Sequence, residues 1–204
     1  MNGPRFEKLM ENRYMGSEYE RDLFDSMPIS NPDFMAEMAK LKAETESRGG
    51  KPSLSRLQEL TEKFQPADPT NPNKDFAREL RLAVAEKLGL KTDEEMNQLG
   101  FFTAVKGPMD YQFGFDGYLA FSYVDKQGWT RRCMVSLDAT RNPQKDEPPR
   151  ADILVAGDVP DPSDDDFKED NYLKKIDEYA AQVARLFQEK MERSETGFTK
   201  RIYH

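Results

Sequence analysis

Two aspartates lie at the ends of neighbouring predicted strands, where their carboxylates can converge. Asp116 precedes the strand-like run at residues 118–123, and Asp138 follows the run at 132–137. In an antiparallel hairpin, the start of the first strand lies beside the end of the second. Hard divalent cations bind carboxylate oxygens, neutralise phosphate charge and activate a bound water. The pattern therefore predicts a Mg²⁺ or Mn²⁺ site with Asp116 and Asp138 as ligands and catalytic residues.

The loop after Asp138 supplies positive charge for such a site. Arg141, Lys145 and Arg150 follow within twelve residues, and cations of this kind stabilise a scissile phosphate. Lys145 is the predicted catalytic cation, which orients the attacking water or stabilises developing charge. The corresponding activity is metal-dependent hydrolysis of a phosphodiester at a local nucleic-acid site.

Each aspartate also has a purely structural interpretation. Asp116 is followed by Gly117, and Asp-Gly is a common turn pair in which the carboxylate accepts hydrogen bonds from nearby backbone. Asp138 can cap a strand end before the Asn142-Pro143 turn. The sequence leaves these alternatives open.

Other kinds of catalytic site are excluded by composition. The chain has 204 residues, with a single His (His204) and a single Cys (Cys133). An internal disulfide, a Cys/His zinc site and Ser-His or Cys-His nucleophilic catalysis therefore lack their residues. Neither GxxxxGK[ST] nor GxGxxG occurs, so the nucleotide-binding loops with those patterns are excluded as well.

Hydrophobic periodicity predicts the elements that position these acids. Helical spacing is found at residues 5–25, 33–47, 55–64, 75–88 and 171–193. We expect caps at Asp33 and Ser55 and a capping box of Thr92 with Glu95. Strands are predicted at 101–105, 118–123, 132–137 and 151–155. This order indicates an α+β fold, in which a small antiparallel or mixed sheet of about four strands is flanked by helices and preceded by a helical N-terminal extension.

A proline-rich stretch divides the chain. Pro66, Pro69 and Pro72 lie within seven residues, and this density is incompatible with a regular element. We predict a helical N-terminal region at 1–64, a linker at 65–74 and an α+β main domain at 75–204. The N-terminal helices are expected to pack on the main domain, because short polar helices bury little surface alone.

From residue 75 onward, the arrangement resembles the PD-(D/E)xK nuclease superfamily. That fold has a helix that often carries a Glu, a strand that bears the Asp, a strand that ends in (D/E)xK, and then a helix and a strand. The resemblance implies that Asp116 and Asp138 are metal ligands and that Glu79 is an auxiliary one. Thr140 occupies the position of the motif lysine. In this family the lysine can migrate, and Lys145 or Lys106 is then its replacement.

The net charge supports a different hypothesis. The chain carries 38 acidic and 30 basic residues, a net charge of -8, whereas broad nucleic-acid binding normally requires clustered positive charge. Residues 156–170 contain seven acids and one lysine. The alternative is a non-catalytic acidic interaction protein (an inhibitor, an adaptor or a phage-type accessory factor) that binds a basic protein through the 156–170 loop.

The remaining expectations concern location and one aromatic residue. The sequence shows neither a secretory signal nor about 18 consecutive apolar residues. We therefore expect a cytoplasmic protein without a membrane partner. Trp129, the only Trp, follows the predicted hairpin turn and is expected in the core. The oligomeric state is left open.

Overall fold

A four-stranded sheet forms the centre of the molecule. The computed structural model describes residues 17–47, 49–141, 150–160, 162 and 164–199. The strands are β1 Leu99–Thr103, β2 Gly117–Val124, β3 Thr130–Thr140 and β4 Ile153–Ala156, and their order in the sheet is β1-β2-β3-β4. β1, β2 and β3 are antiparallel neighbours, whereas β4 runs parallel to β3. The sheet is therefore mixed, which is one of the two arrangements that the sequence prediction allowed.

Helices cover both faces of this sheet. They are α1 (residues 17–24), α2 Pro32–Glu46, α3 Leu54–Lys63, α4 Asp75–Lys87, α5 Asp93–Met96, α6 Pro108–Phe113 and α7 Glu169–Thr199. Buried residues of α1, α4 and α7 share one core cluster with Leu119 and Val135 of the sheet. α2, α3 and α6 contribute to a second cluster with Tyr118 and Ala120. The alternation of strand side chains separates the two clusters, and the α+β class is confirmed.

Helix boundaries follow local capping, with two differences from the sequence prediction. The Thr92–Glu95 capping box is present at α5. The α2 cap is Asn31 rather than Asp33, because Pro32 fits the first helical position and moves the start forward. The α3 cap is Ser53 rather than Ser55, since the extended residue before Leu54 is Ser53.

The linker lies along the outer edge of β1. The Gln65 side chain accepts a hydrogen bond from the Thr103 N–H (2.9 Å) and donates one to the Thr103 carbonyl (3.0 Å). Farther along, the Phe101 N–H donates to the Pro69 carbonyl at 2.9 Å. The linker thus satisfies backbone groups that an edge strand would otherwise expose.

The N-terminal helices pack directly on the sheet region. Tyr19, Leu23 and Phe24 of α1 are buried with the α4 and α7 side chains. The Tyr19 hydroxyl also donates to the Ala156 carbonyl at 2.7 Å. Side chains from both sides of the linker therefore share one core.

Candidate functional site

The pairing of β2 with β3 brings Asp116 and Asp138 to the same end of the sheet. The ladder ends at the pair Gly117 with Leu137, and Asp116 and Asp138 each lie next to a member of that pair, close enough for the charge of Asp138 to act on Asp116. Both residues are buried, with 4% and 5% of their surface exposed. The structure thus brings together the two acids that the sequence singled out, at the end of the sheet where β2 begins and β3 ends.

Asp116 also connects three strands. Its N–H donates to the Leu137 carbonyl (2.8 Å), and its carbonyl accepts from the Ala104 N–H (2.7 Å). Its side-chain Oδ2 accepts from the Ala139 N–H at 2.8 Å. The carboxylate therefore bonds to backbone, as the structural interpretation requires, although the donor lies on the neighbouring strand. This bond fixes the orientation of the carboxyl group.

Negative charge accumulates around Asp116. Its pKa is raised to about 9, chiefly because it is buried and also because the charges of Glu20, Asp110 and Asp138 oppose its ionisation. The hydrogen bond from the Ala139 N–H opposes this rise in pKa. Glu20 comes from α1 on one side of the sheet and Asp110 from α6 on the other. The end of the sheet is consequently a site where positive charge is electrostatically favoured.

Glu79 lies on a different element from the groups that act on Asp116. It is on α4, its side chain is 38% exposed, and Arg78 Nε lies 3.8 Å from its carboxylate. Its charge contributes to the raised pKa of Tyr172. Lys145, the predicted catalytic cation, lies outside the described residues.

Two arginines mark the ends of the loop that the sequence identified as cationic. The Arg141 guanidinium lies 4.9 Å from the centre of the Tyr19 ring. The Arg150 side chain packs against Gly114, with its Cδ 3.2 Å from the position that a Cβ would take there. Gly114 is two residues before Asp116, and Arg141 is three residues after Asp138. Arg141 is therefore close to Asp138 along the chain, and Arg150 contacts a residue close to Asp116.

A cavity of about 280 Å³ lies beside this end of the sheet. Tyr19 and Arg141 line it, together with Lys74 before α4 and Tyr172 of α7. Tyr19 directly precedes Glu20. The cavity thus shares α1 and the end of β3 with the acidic site, but neither Asp116 nor Asp138 lines it.

The donor set fits only one kind of metal site. No group of three or more His, Cys, Asp or Glu side chains is arranged to hold a metal within the part of the chain that the structure describes. A site with many protein ligands is thus not formed there. Mg²⁺, however, is commonly held by one or two carboxylates together with waters and substrate phosphate. Asp116 and Asp138 would supply the two carboxylates of such a site.

Sequence reasoning missed Glu20 and Asp110. Asp110 lies on α6, a helix of six residues that the periodicity did not predict. Its carboxylate accepts from the Lys106 N–H at 2.9 Å. Glu20 is one of several acids in the first helix, and nothing in its spacing distinguishes it from a solvent-facing residue. Its proximity to Asp116 follows from tertiary packing of α1.

Comparison with known protein families, curated proteins and solved structures found no match for this chain. Over the described ranges, no helix combines the length and the apolar character needed to span a membrane.

Proposed function

We propose that this chain is a nuclease-like, metal-dependent phosphodiesterase, with Asp116 and Asp138 as ligands for Mg²⁺ or Mn²⁺. The observation that carries the proposal is the presence of two buried aspartates, Asp116 and Asp138, at the same end of the sheet. The raised pKa of Asp116 adds to it, since a bound cation would replace the proton that this group retains at neutral pH.

The strand order supports the same proposal. Asp116 precedes β2 and Asp138 lies near the end of β3, which is the order that resemblance to the PD-(D/E)xK superfamily implies. Between β3 and β4, where that fold has a helix, residues 142–149 lie outside the described residues.

The chain's own groups have separable roles in this proposal. When bound, a divalent cation supplies Lewis-acid stabilisation of the phosphate and a more acidic water. Asp116 and Asp138 provide carboxylate oxygens, and the Ala139 N–H orients the first of them. Arg141 and Arg150 attract the phosphate backbone. Lys145 remains the proposed group for orienting the water.

Glu20 is a better candidate than Glu79 for an auxiliary acid that favours the cation through its charge and is not itself a third ligand. Its negative charge is the largest charge contribution that raises the pKa of Asp116. Glu79 is partly exposed beside Arg78. The two assignments predict opposite results for matched variants, so one experiment can distinguish them.

The test is a calorimetric titration of Mn²⁺ into the full chain. We expect one Mn²⁺ site in the wild type. The affinity for Mn²⁺ should fall by at least about 10-fold in Asp138→Asn and by about 10-fold in Glu20→Gln. Glu79→Gln is the matched control and should bind like the wild type. Hydrolysis of single- and double-stranded DNA and RNA is then measured with Mg²⁺ and with Mn²⁺.

Two results would overturn parts of this proposal. A wild type that binds no Mn²⁺ at millimolar concentration would overturn the metal site and the activity together. The auxiliary role would return to Glu79 if Glu79→Gln bound Mn²⁺ more weakly than the wild type and Glu20→Gln bound it equally well.

A second candidate function rests on the acidic loop. Asp164, Asp165 and Asp166 are exposed, so their charge is available to a basic protein. Asp158 differs, because it pairs with Lys175 at 2.7 Å and accepts a bond from Tyr179. Under this alternative, replacing the three exposed aspartates by Asn abolishes partner binding and leaves Mn²⁺ binding unchanged.

A further inference from the structure

The tip of the β2–β3 hairpin extends beyond the paired core of the sheet. The last ladder pair is Val124 with Thr130, and the Asp125 N–H continues the pairing by donating to the Trp129 carbonyl at 2.9 Å. Gly128 closes the turn with a φ of 83°, a value that glycine adopts without strain. The tip therefore has one defined backbone conformation.

A buried carboxylate holds this turn together. The Asp125 side chain is 4% exposed and lies 2.8 Å from the Arg131 Nε. Its Oδ1 accepts from the N–H groups of Gln127 (3.0 Å) and Trp129 (2.9 Å). The backbone of Trp129 and the guanidinium of Arg131 are thus fixed in place before any partner binds.

The fixed tip presents apolar and aromatic surface to solvent. Trp129 is 63% exposed and Val124 is 67% exposed, which corrects the expectation that Trp129 belongs to the core. The pairing of Tyr123 with Arg131 and the alternation of strand side chains place Trp129 on the same face as these two residues. That face carries aromatic rings and a planar cation side by side.

Charge selects among the partners for such a surface. Residues 124–132 carry three cations, Lys126, Arg131 and Arg132, and one acid, Asp125, within a chain of net charge -8. Both arginines have acidic partners, since Arg131 pairs with Asp125 at 2.8 Å and Arg132 with Glu62 at 2.7 Å, so these five side chains together carry a net charge of +1. An exposed indole beside cations is the combination that binds single-stranded nucleic acid, because bases stack on the ring and cations contact phosphates. This combination favours a nucleic acid over an apolar partner.

We propose that the hairpin tip, defined as residues 123–132, binds single-stranded nucleic acid by stacking a base on Trp129. This inference rests on the proposed function for its substrate class and extends it with a second contact. Asp138 lies eight residues along β3 from Thr130, about 26 Å at the usual strand rise. The tip can therefore be altered without touching the acidic site.

The experiment uses the full chain and a 12-nucleotide oligothymidylate in EDTA, where hydrolysis cannot proceed. Since Trp129 is the only Trp, its fluorescence reports directly on stacking, and saturable quenching is expected. Anisotropy of a labelled oligonucleotide then compares the variants. Trp129→Ala should bind at least about 10-fold more weakly, and Trp129→Phe should lose less. Met35→Ala, which removes a 58% exposed side chain of α2, should bind like the wild type.

The outcomes separate this inference from the proposed function. Unchanged fluorescence at saturating oligonucleotide, or equal affinity in Trp129→Ala, overturns the tip as a nucleic-acid site. A fluorescence shift with phosphatidylserine vesicles and none with oligonucleotide overturns it in favour of a membrane surface. If Asp138→Asn retains the quenching and the wild type hydrolyses no substrate, the result supports nucleic-acid binding at the tip and contradicts the proposed phosphodiesterase activity.

Discussion

Replacing Asp116 by Asn should stabilise the protein relative to the wild type, by an amount that grows as the pH rises. An unfolded chain ionises this carboxyl near pH 4, whereas the folded chain retains the proton up to about pH 9. Between those values the native state binds one more proton than the unfolded state. The free energy of unfolding of the wild type therefore falls by about 1.4 kcal/mol per pH unit from this group, and the loss is complete once the pH passes about 9.

The Asn side chain removes this titration and keeps the geometry. Its oxygen can accept from the Ala139 N–H, and its neutral amide is not repelled by the charges of Glu20 and Asp138. The difference in unfolding free energy, Asp116→Asn minus wild type, should grow by about 3 kcal/mol between pH 5.5 and 7.5.

Urea unfolding at four pH values between 5.5 and 7.5 measures this difference, with the exposed Asp164→Asn as the matched control. Parallel pH profiles for wild type and Asp116→Asn would refute the argument, because they would mean that Asp116 is ionised in the folded chain. Saturating Mn²⁺ at pH 7.5 adds a second arm. It should stabilise the wild type by about 2.7 kcal/mol at 100 times the dissociation constant and leave the variant nearly unchanged.

Three further predictions concern other buried groups. Arg81→Ala should lower the free energy of unfolding by about 2–4 kcal/mol, because Arg81 is 3% exposed and donates to the Leu99 carbonyl at 2.7 Å. Urea unfolding of the wild type, Arg81→Ala and Arg81→Lys measures this loss. Equal stability of Arg81→Ala and the wild type would contradict it. Tyr172→Phe should be neutral or stabilising, since its hydroxyl has no hydrogen-bond partner among the described residues, whereas Tyr179→Phe should cost about 1 kcal/mol because it removes the bond to Asp158. Thermal unfolding compares the two variants. A Tyr172→Phe variant that is less stable than Tyr179→Phe would refute the argument from their hydrogen bonds. Burial raises the pKa of Cys133 to about 11, so a disulfide reagent at pH 7 should label it slowly in the native chain and rapidly in urea; fast native labelling would contradict the burial.

Periodicity predicted the sheet and most helices because burial of one face leaves a direct mark on the sequence. The short aromatic and β-branched runs at residues 118–123 and 132–137, with a turn between them, predicted the β2–β3 hairpin and placed Asp116 and Asp138 at the same end of it. Short elements leave weaker marks. α6 has six residues with a single buried side chain, Met109, so its pattern could not be told from a loop.

The parts of the site that come from tertiary packing were not predictable in the same way. Glu20 reaches Asp116 because Tyr19, Leu23 and Phe24 dock α1 on the sheet, and no local pattern specifies that docking. Trp129 illustrates the converse. Its residue type favours burial, but the hydrogen bonds of Asp125 hold its backbone at a turn beyond the core.

The contacts of the linker with β1 give residues 65–74 a protective role against self-association. An uncovered edge strand is a template on which a second chain can add a strand and begin to aggregate. Gln65 occupies the backbone groups of Thr103, and Pro69 occupies the N–H of Phe101. A single proteolytic cut between these contacts would release that edge. Oligomers that form through β1 would then accumulate while the folded core of the monomer still survives.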